Sequence, residues 1–328
     1  MSNLQKVFDA LDRFEQAKIL CVGEVALDRF IYSKTKRISS ESPIPVFLYD
    51  TEISMLGCTG NVASNISSLN GETILISVAG TQEQDGVIAN MLKKDGVESY
   101  MVVDENRDTT VKTRFCSKGQ QVFRFDTEKS ETISKEVEDK IIAKVKECIS
   151  RVSALILSEY NQGIMTDRVI KESIAIANEY KVPVIIDPRG NDYSKYKGAT
   201  VVTPNKKELE TLVGYEIEEE GEIYSASIDI MEKCGIDNLL VTRDKDGMSL
   251  VSAQSSLCHI PAKARSVFDV SGAGDTVITG LALAIANGED MYTASFIANV
   301  AAGIAVGKAG TATVTIEEIK KELREVNE

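Results

Sequence analysis

Six short apolar, β-branched runs punctuate this chain: KILCVGE (18–24), TILISVAG (73–80), SALILSE (153–159), VPVIIDP (182–188), ATVVTP (199–204) and NLLVTR (238–243). Each is too continuously apolar to leave one face in water, so each reads as a strand buried on both faces of a parallel sheet. Helical periods lie between them, among them NVASNISSLN (61–70), SKEVEDKIIAKVKECIS (134–150) and DRVIKESIAIANEY (167–180). Parallel neighbours require crossovers, and an alternating helix supplies each one. The pattern therefore predicts an α/β doubly wound, mostly parallel sheet flanked by helices. Two segments break the rhythm. PIPVFLYDTEISML (43–56) and TVKTRFCSKGQQVFRFDTE (110–128) read as antiparallel strands, the second turning at Lys118-Gly119. They are expected to pair with each other as a small β-sheet lid, spanning about 30–56 and 108–128 of one 1–328 domain.

Charge narrows the partners. Lys plus Arg number 37 against 50 Asp plus Glu, a net charge of −13, with no basic block to relieve it. A nucleic-acid backbone or an anionic membrane surface is therefore not an expected partner. An anionic small molecule remains compatible, since a local basic pocket or a bound metal overrides the global field. The six cysteines form no C-x-x-C pair, and the one histidine, His259, adds no zinc-like spacing. They read as reduced, mostly buried thiols of a cytoplasmic protein. The N-terminal MSNLQKVFDALDRFEQAK is charged and amphipathic, unlike a signal peptide. The most apolar runs, around 276–287 and 294–306, are short and broken by Gly, Asn or Ser, and neither spans a bilayer.

Open α/β sheets bind ligands beyond the carboxyl ends of their strands, so the chemistry is sought there. TPNKKELETLVG follows the run at 199–203, with Asn205 and Glu208 three apart on the first turn of a helix. They suit a helix cap, or a polar pair at a ligand's edge. Late in the chain, DVSGAGDT opens a long apolar helix. It is no G-x-G-x-x-G fingerprint, because position 277 is Val and no strand-like run immediately precedes the glycines. Nor is GIAVGKAG (303–310) a Walker loop, since its spacing is wrong and Ala309 replaces Ser/Thr. What Gly272, Ala273 and Gly274 offer is a run of backbone N–H groups at a helix N-terminus, cleared for an anion. Asp275 beside them either takes a proton from an attacking hydroxyl or complements the helix dipole. In the first half, Asp28 follows the first strand, while Gly57, Gly60 and Asn61 open a helix. Such residues bind vicinal hydroxyls or serve as turn residues.

The glycine-rich LGCTGNVA, the mid-chain TPNKKE and the late DVSGAGD together resemble the ribokinase-like (PfkB) carbohydrate kinases. Longer blocks sharpen the resemblance: RISSESPIPV (37–46), GQQVFRFD (119–126), DPRGNDYSKYKGATVVTPNKKELE (187–210), LLVTRDKDGMSL (239–250) and ANVAAGIAVGKAGTATV (298–314). These are similar to the kinase domain of the bacterial heptose-7-phosphate kinase/ADP-heptose synthase proteins. The resemblance implies a ribokinase-like core with a β lid. Asp275 corresponds to the catalytic base and the amides from Gly272 to Asp275 to the anion hole. Asn205, Lys206, Lys207 and Glu208 correspond to the element that works through Mg²⁺ and the ATP phosphates, with Asn205 and Glu208 on the metal side. Thr242, Gly247 and Asn299 map along the nucleotide, and Asp28, Gly57 and Asn61 onto sugar contacts.

The reaction so implied is ATP-dependent phosphorylation of the anomeric hydroxyl of D-glycero-β-D-manno-heptose 7-phosphate, feeding lipopolysaccharide core synthesis. Mg²⁺ is the implied metal, and some relatives also require a monovalent cation. The sugar phosphate calls for local cations, for which Arg114 and Arg124 of the lid hairpin are candidates, with Lys112 and Arg37 beside them. Exposed lid strands suit a homodimer formed through the lid. The sequence departs from the family in its sugar loop: Cys58-Thr59-Gly60 replaces the usual Gly-Ala-Ala, Glu24 and Glu159 stand for Asp, and Gln162 for Lys. A kinase for another sugar or sugar phosphate, or a non-catalytic sugar-binding regulator, are the alternatives. The chain ends at 328 without an adenylyltransferase domain, so a kinase-only form is expected.

Overall fold

A computed structural model describes residues 3–252, 255–262 and 267–325. In chain order its strands are β1 (Lys18–Gly23), β2 (Val25–Ile38), β3 (Pro45–Cys58), β4 (Glu72–Ala79), β5 (Glu98–Val103), β6 (Thr110–Ser117), β7 (Gln120–Thr127), β8 (Ala154–Ser158), β9 (Val184–Asp187), β10 (Val201–Val202), β11 (Asn238–Thr242), β12 (Met248–Ser252) and β13 (Ser255–Ile260). The helices are α1 (Asn3–Asp12), α2 (Thr59–Ser68), α3 (Glu83–Lys94), α4 (Lys135–Cys148), α5 (Asp167–Glu179), α6 (Lys206–Val213), α7 (Glu220–Cys234), α8 (Ala273–Ala286), α9 (Met291–Ala305) and α10 (Ile316–Glu325). All six apolar runs form strands of one sheet, ordered β13-β12-β11-β10-β9-β8-β1-β4-β5. From β11 through β5 every pairing is parallel, and only β12 and β13 run antiparallel at one edge.

Residue alternation along β1 shows why this sheet needs helices on both faces. Ile19 and Cys21 pack into one core with Ile66, Ile278, Leu281 and Ile297, from α2, α8 and α9. Leu20 and Val22 point oppositely, into a core with Ile141, Val145, Val169 and Ile170, from α4 and α5. Successive side chains of a strand face opposite sides, so two apolar layers are required. β1 pairs with β4 on one side and β8 on the other, so the winding direction reverses at the β1/β8 boundary. The carboxyl ends of β1 and β8 therefore open the crevice where ligands bind in such sheets.

The second sheet is ordered β3-β2-β6-β7. The hairpin is where the sequence indicates, with Lys118 and Gly119 both at positive φ between β6 and β7. The expected direct pairing of 43–56 with 110–128 is corrected. β2 lies between them, antiparallel to β3 and parallel to β6. This 14-residue strand is hidden in the sequence because its first half is almost wholly buried, which erases the polar alternation that would betray it. Asp28 accordingly stands on β2 rather than in a loop after β1. The six cysteines are free, four of them buried. Among the described residues no helix is long and apolar enough to cross a membrane.

Candidate active site

The carboxyl ends of β1, β8, β9, β10 and β11 converge with the N-terminus of α8. Gly272 caps that helix at φ 76°, a left-handed conformation that glycine adopts without steric cost. It also has no room for a side chain, because a Cβ would lie 2.7 Å from Asn61 Nδ2. The first-turn amides have no acceptor within the helix and carry the positive end of its dipole. Ala273 N donates to Val270 O, while Gly274 faces open space.

Asp275, in this first turn, is buried and receives two hydrogen bonds. Asn61 Nδ2 donates to Oδ2 at 2.6 Å, and Tyr160 Oη donates to Oδ1 at 2.5 Å. Burial raises the carboxyl above its ordinary range, opposed by those two donors and by the charge of Arg189. Burial and the Asp275 charge push the Tyr160 hydroxyl well up, so it stays protonated as a donor. The backbone amides of Tyr160 and Gln162 donate to the buried Glu24 carboxylate, at 3.0 and 3.3 Å. Glu24 thus ties the loop after β8 to the end of β1. Glu159 forms a buried pair with Lys195 at 2.8 Å and accepts from Tyr196 Oη at 2.6 Å. Two of the family departures are therefore scaffold contacts.

The sugar-side candidates gather beside Asp275. Asp28 is buried and pairs with Arg114 at 2.5 Å, both side chains nearly inaccessible. Gly57 leaves them space, since a Cβ there would lie 2.6 Å from Asp28 Oδ2. Cys58 takes φ 56° and ψ −137°, a region that costs a non-glycine residue on the order of 1–3 kcal/mol. Burial pushes its thiol up, and Lys112 Nζ lies 3.6 Å from its sulfur. Arg124 faces Arg114 in register across the hairpin but is exposed, and it pairs with Asp126 at 3.0 Å. Arg124 thus stands apart from the group around Asp275.

On the other side of the crevice, Asn205 and Glu208 form a reciprocal capping box at the start of α6. Glu208 Oε1 also pairs with Arg189 at 2.9 Å, and Arg189 reaches Asp187 at 3.4 Å and donates to Pro188 O at 2.7 Å. Burial pushes Asp187 up to about 7, with Arg189 opposing. Thr242, at the end of β11, bridges to Asn205, and its amide donates to Pro204 O at 2.9 Å. Gly247 turns the chain from β11 into β12 at φ 85°, and Asn299 Nδ2 donates to Pro261 O at 2.8 Å. Lys206 pairs along its own helix with Glu210, and Lys207 is exposed beside it. Among the described residues no group of three His, Cys, Asp or Glu side chains is arranged to hold a metal. With one oxygen of Glu208 accepting from Asn205 N and the other paired with Arg189, a Mg²⁺ here would have to be carried mainly by substrate phosphates.

Tyr160 and Arg189 are absent from the sequence-based candidates. Each follows a strand end, in SEY after β8 and DPR after β9. Their place just past a strand end is where such sheets bind ligands, but that position alone does not reveal which partners they meet.

Residues 16–318 match the family described as pfkB family carbohydrate kinase. The chain belongs to the pfkB family of carbohydrate kinases. This kinase is 38% identical over 320 residues to the bifunctional protein HldE of Paramagnetospirillum magneticum, covering 97% of this chain and 66% of that relative. The chain thus spans just under two thirds of that curated relative's length. Its fold is ribokinase-like. It superposes on Arabidopsis thaliana ribokinase complexed with ribose and ATP with a TM-score of 0.73 at 19% identity, covering 94% of this chain and 99% of the other. Phosphofructokinase-2 from Escherichia coli in complex with potassium gives 0.78 at 17% identity, with 95% and 100% covered. The protein is a sugar kinase.

Proposed function

We propose that this kinase transfers the γ-phosphoryl group of ATP to the anomeric hydroxyl of D-glycero-β-D-manno-heptose 7-phosphate, giving the 1,7-bisphosphate. The observation that carries the reading is Asp275, a buried carboxylate at the N-terminus of α8 whose neighbour Asn61 comes from the sugar loop. Asp275 accepts the proton of the attacking hydroxyl, and the first-turn amides meet the charge on the transferred group. Asn205 and Glu208 would stand on the metal side of a Mg²⁺ carried mainly by the phosphates, and that ion would supply further charge neutralisation. Phosphoryl transfer asks little covalent work of a protein, so positioning and charge suffice. Lys206, Lys207, Thr242, Gly247 and Asn299 are assigned to the nucleotide side, and Asp28, Gly57 and Asn61 to the sugar.

Arg114 spends one donor on Asp28 and keeps others for a sugar phosphate, with Lys112 two residues away on the same strand face. Arg124 is the outer member of this basic set. The likeness to HldE over 97% of the chain supports the heptose. The altered loop at Cys58-Thr59-Gly60 favours, as a second reading, another phosphorylated sugar. The potassium complex of phosphofructokinase-2 supports a monovalent-cation requirement. The assigned setting is the cytoplasm, with a homodimer formed through the small sheet, whose edge strands expose Tyr49, Phe123 and Phe125. ADP release from Mg-ATP, measured over free and phosphorylated sugars with and without K⁺, tests the assignment. Heptose 7-phosphate should give the highest kcat/KM, and a higher value on another sugar phosphate would favour the second reading.

A further inference from the structure

A carboxylate beside a phosphate-binding helix end can activate water as readily as a sugar hydroxyl. In that side reaction the water oxygen bonds to the γ-phosphorus, the bond to the ADP oxygen breaks, and the water proton passes to Asp275. The products are ADP and inorganic phosphate. A kinase that holds ATP before its sugar arrives is exposed to this loss. In this structure, however, neither oxygen of Asp275 lacks a donor. Asn61 holds Oδ2, and the Tyr160 hydroxyl lies on Oδ1 at 2.5 Å, the separation a reacting hydroxyl would take.

Tyr160 is firmly placed for this contact. Its amide is bonded to Glu24 at the end of β1. Its ring lies 5.6 Å from the Arg189 guanidinium and 5.9 Å from the Lys112 ammonium. Arg189 belongs to the cluster at the head of α6, whereas Lys112 stands on β6 of the small sheet. The ring therefore spans the nucleotide and sugar sides of the crevice. We infer that Tyr160 guards the base: with no sugar bound its hydroxyl occupies Asp275 Oδ1 and keeps water from being activated there, and the acceptor hydroxyl of the sugar takes its place. The inference rests on the reading of Asp275 as the base. A phenol is a suitable guard because it fills the acceptor's position without the reactivity of a small, mobile water.

The test is ADP release by the full chain with Mg-ATP and no sugar. Tyr160→Phe removes the hydroxyl and keeps the ring. Its sugar-free hydrolysis should rise at least about fivefold, part of the ~10²–10⁴-fold that a positioned base supplies. Adding Asp275→Asn to that variant should abolish the rise. A role limited to orienting Asp275 predicts the opposite sign, since a loosened base would hydrolyse ATP no faster. Tyr160→Leu, with thermal melts on both variants, provides the same reading if the phenylalanine form folds poorly. Hydrolysis at or below the wild-type rate in a folded Tyr160 variant overturns the guard. A rise that persists in the Asp275→Asn double variant overturns it too, and places the failure in the assignment of the base. Sugar-dependent turnover of the single Asp275→Asn variant judges that assignment separately.

Discussion

Asp275 sits where burial and hydrogen bonding compete for one proton. Burial favours the neutral acid, while Asn61, Tyr160 and Arg189 favour the carboxylate, and burial wins. A general base works ionised, so kinase turnover should fall as pH drops through the raised value. The acid limb of kcat/KM should therefore lie above the ordinary Asp value of about 4. A rate that stays flat down to that value would remove Asp275 from the acid limb. Replacing it by Asn should lower kcat by ~10²–10⁴-fold and leave KM for ATP and sugar within a few-fold. A variant that keeps about half of wild-type kcat would show that the carboxylate only complements the helix. Asp275, Asn61 and Asp28 were legible in the sequence because residue type and adjacency to glycine or a strand end mark them locally. Tyr160 and Arg189 were not. Nothing in SEY or DPR announces that the phenol will meet a carboxylate 115 residues away, or that the guanidinium will sit between two acids. Such roles arise from convergence of strand ends, and only the assembled sheet displays it.

At the scale of elements, β2 and β6 are fastened by the buried Asp28–Arg114 pair as well as by their ladder. Removing one partner of a buried pair strands the other charge, at roughly 3–5 kcal/mol. Arg114→Ala should therefore lower unfolding stability by about that amount, besides raising KM for a phosphorylated sugar. Adding Asp28→Asn should recover part of the stability and none of the affinity. Denaturant unfolding of the two variants, alongside KM on phosphorylated and free sugar, checks both halves. Unchanged stability in Arg114→Ala would mean that the pair does not fasten the two strands. The main sheet was readable because its strands, buried on both faces, appear as unbroken apolar runs. The hairpin was readable from its Lys118-Gly119 turn. β2 escaped because its buried half carries Asp28 and Arg29 amid apolar residues and shows neither pattern, so its neighbours were joined directly instead. The capping box at α6 was visible as Asn205 and Glu208 three apart, but spacing alone could not reveal that Glu208 also holds Arg189.

At the scale of the whole molecule, the small sheet presents exposed Leu48, Tyr49, Ile53, Val122, Phe123 and Phe125 on its edge strands. Unpaired outer strands carrying exposed apolar side chains are open to a second copy, and the proposed dimer uses them. Light scattering of the eluting protein should show a dimer for wild type and a monomer for Phe125→Glu, and a monomeric wild type would count against lid-mediated pairing. The crevice lies at the winding reversal of the main sheet, with the sugar loop and the small sheet on one side and the head of α6 on the other. A two-substrate transfer needs such a division, and under the proposed function the acceptor hydroxyl would meet Asp275 between the two sides. The most direct test is phosphorus NMR of wild-type enzyme supplied with Mg-ATP and D-glycero-β-D-manno-heptose 7-phosphate. The account predicts a new anomeric phosphate resonance that grows in step with ADP while the 7-phosphate signal persists. ADP accumulating with inorganic phosphate and no anomeric resonance, or no ADP at all, would contradict it.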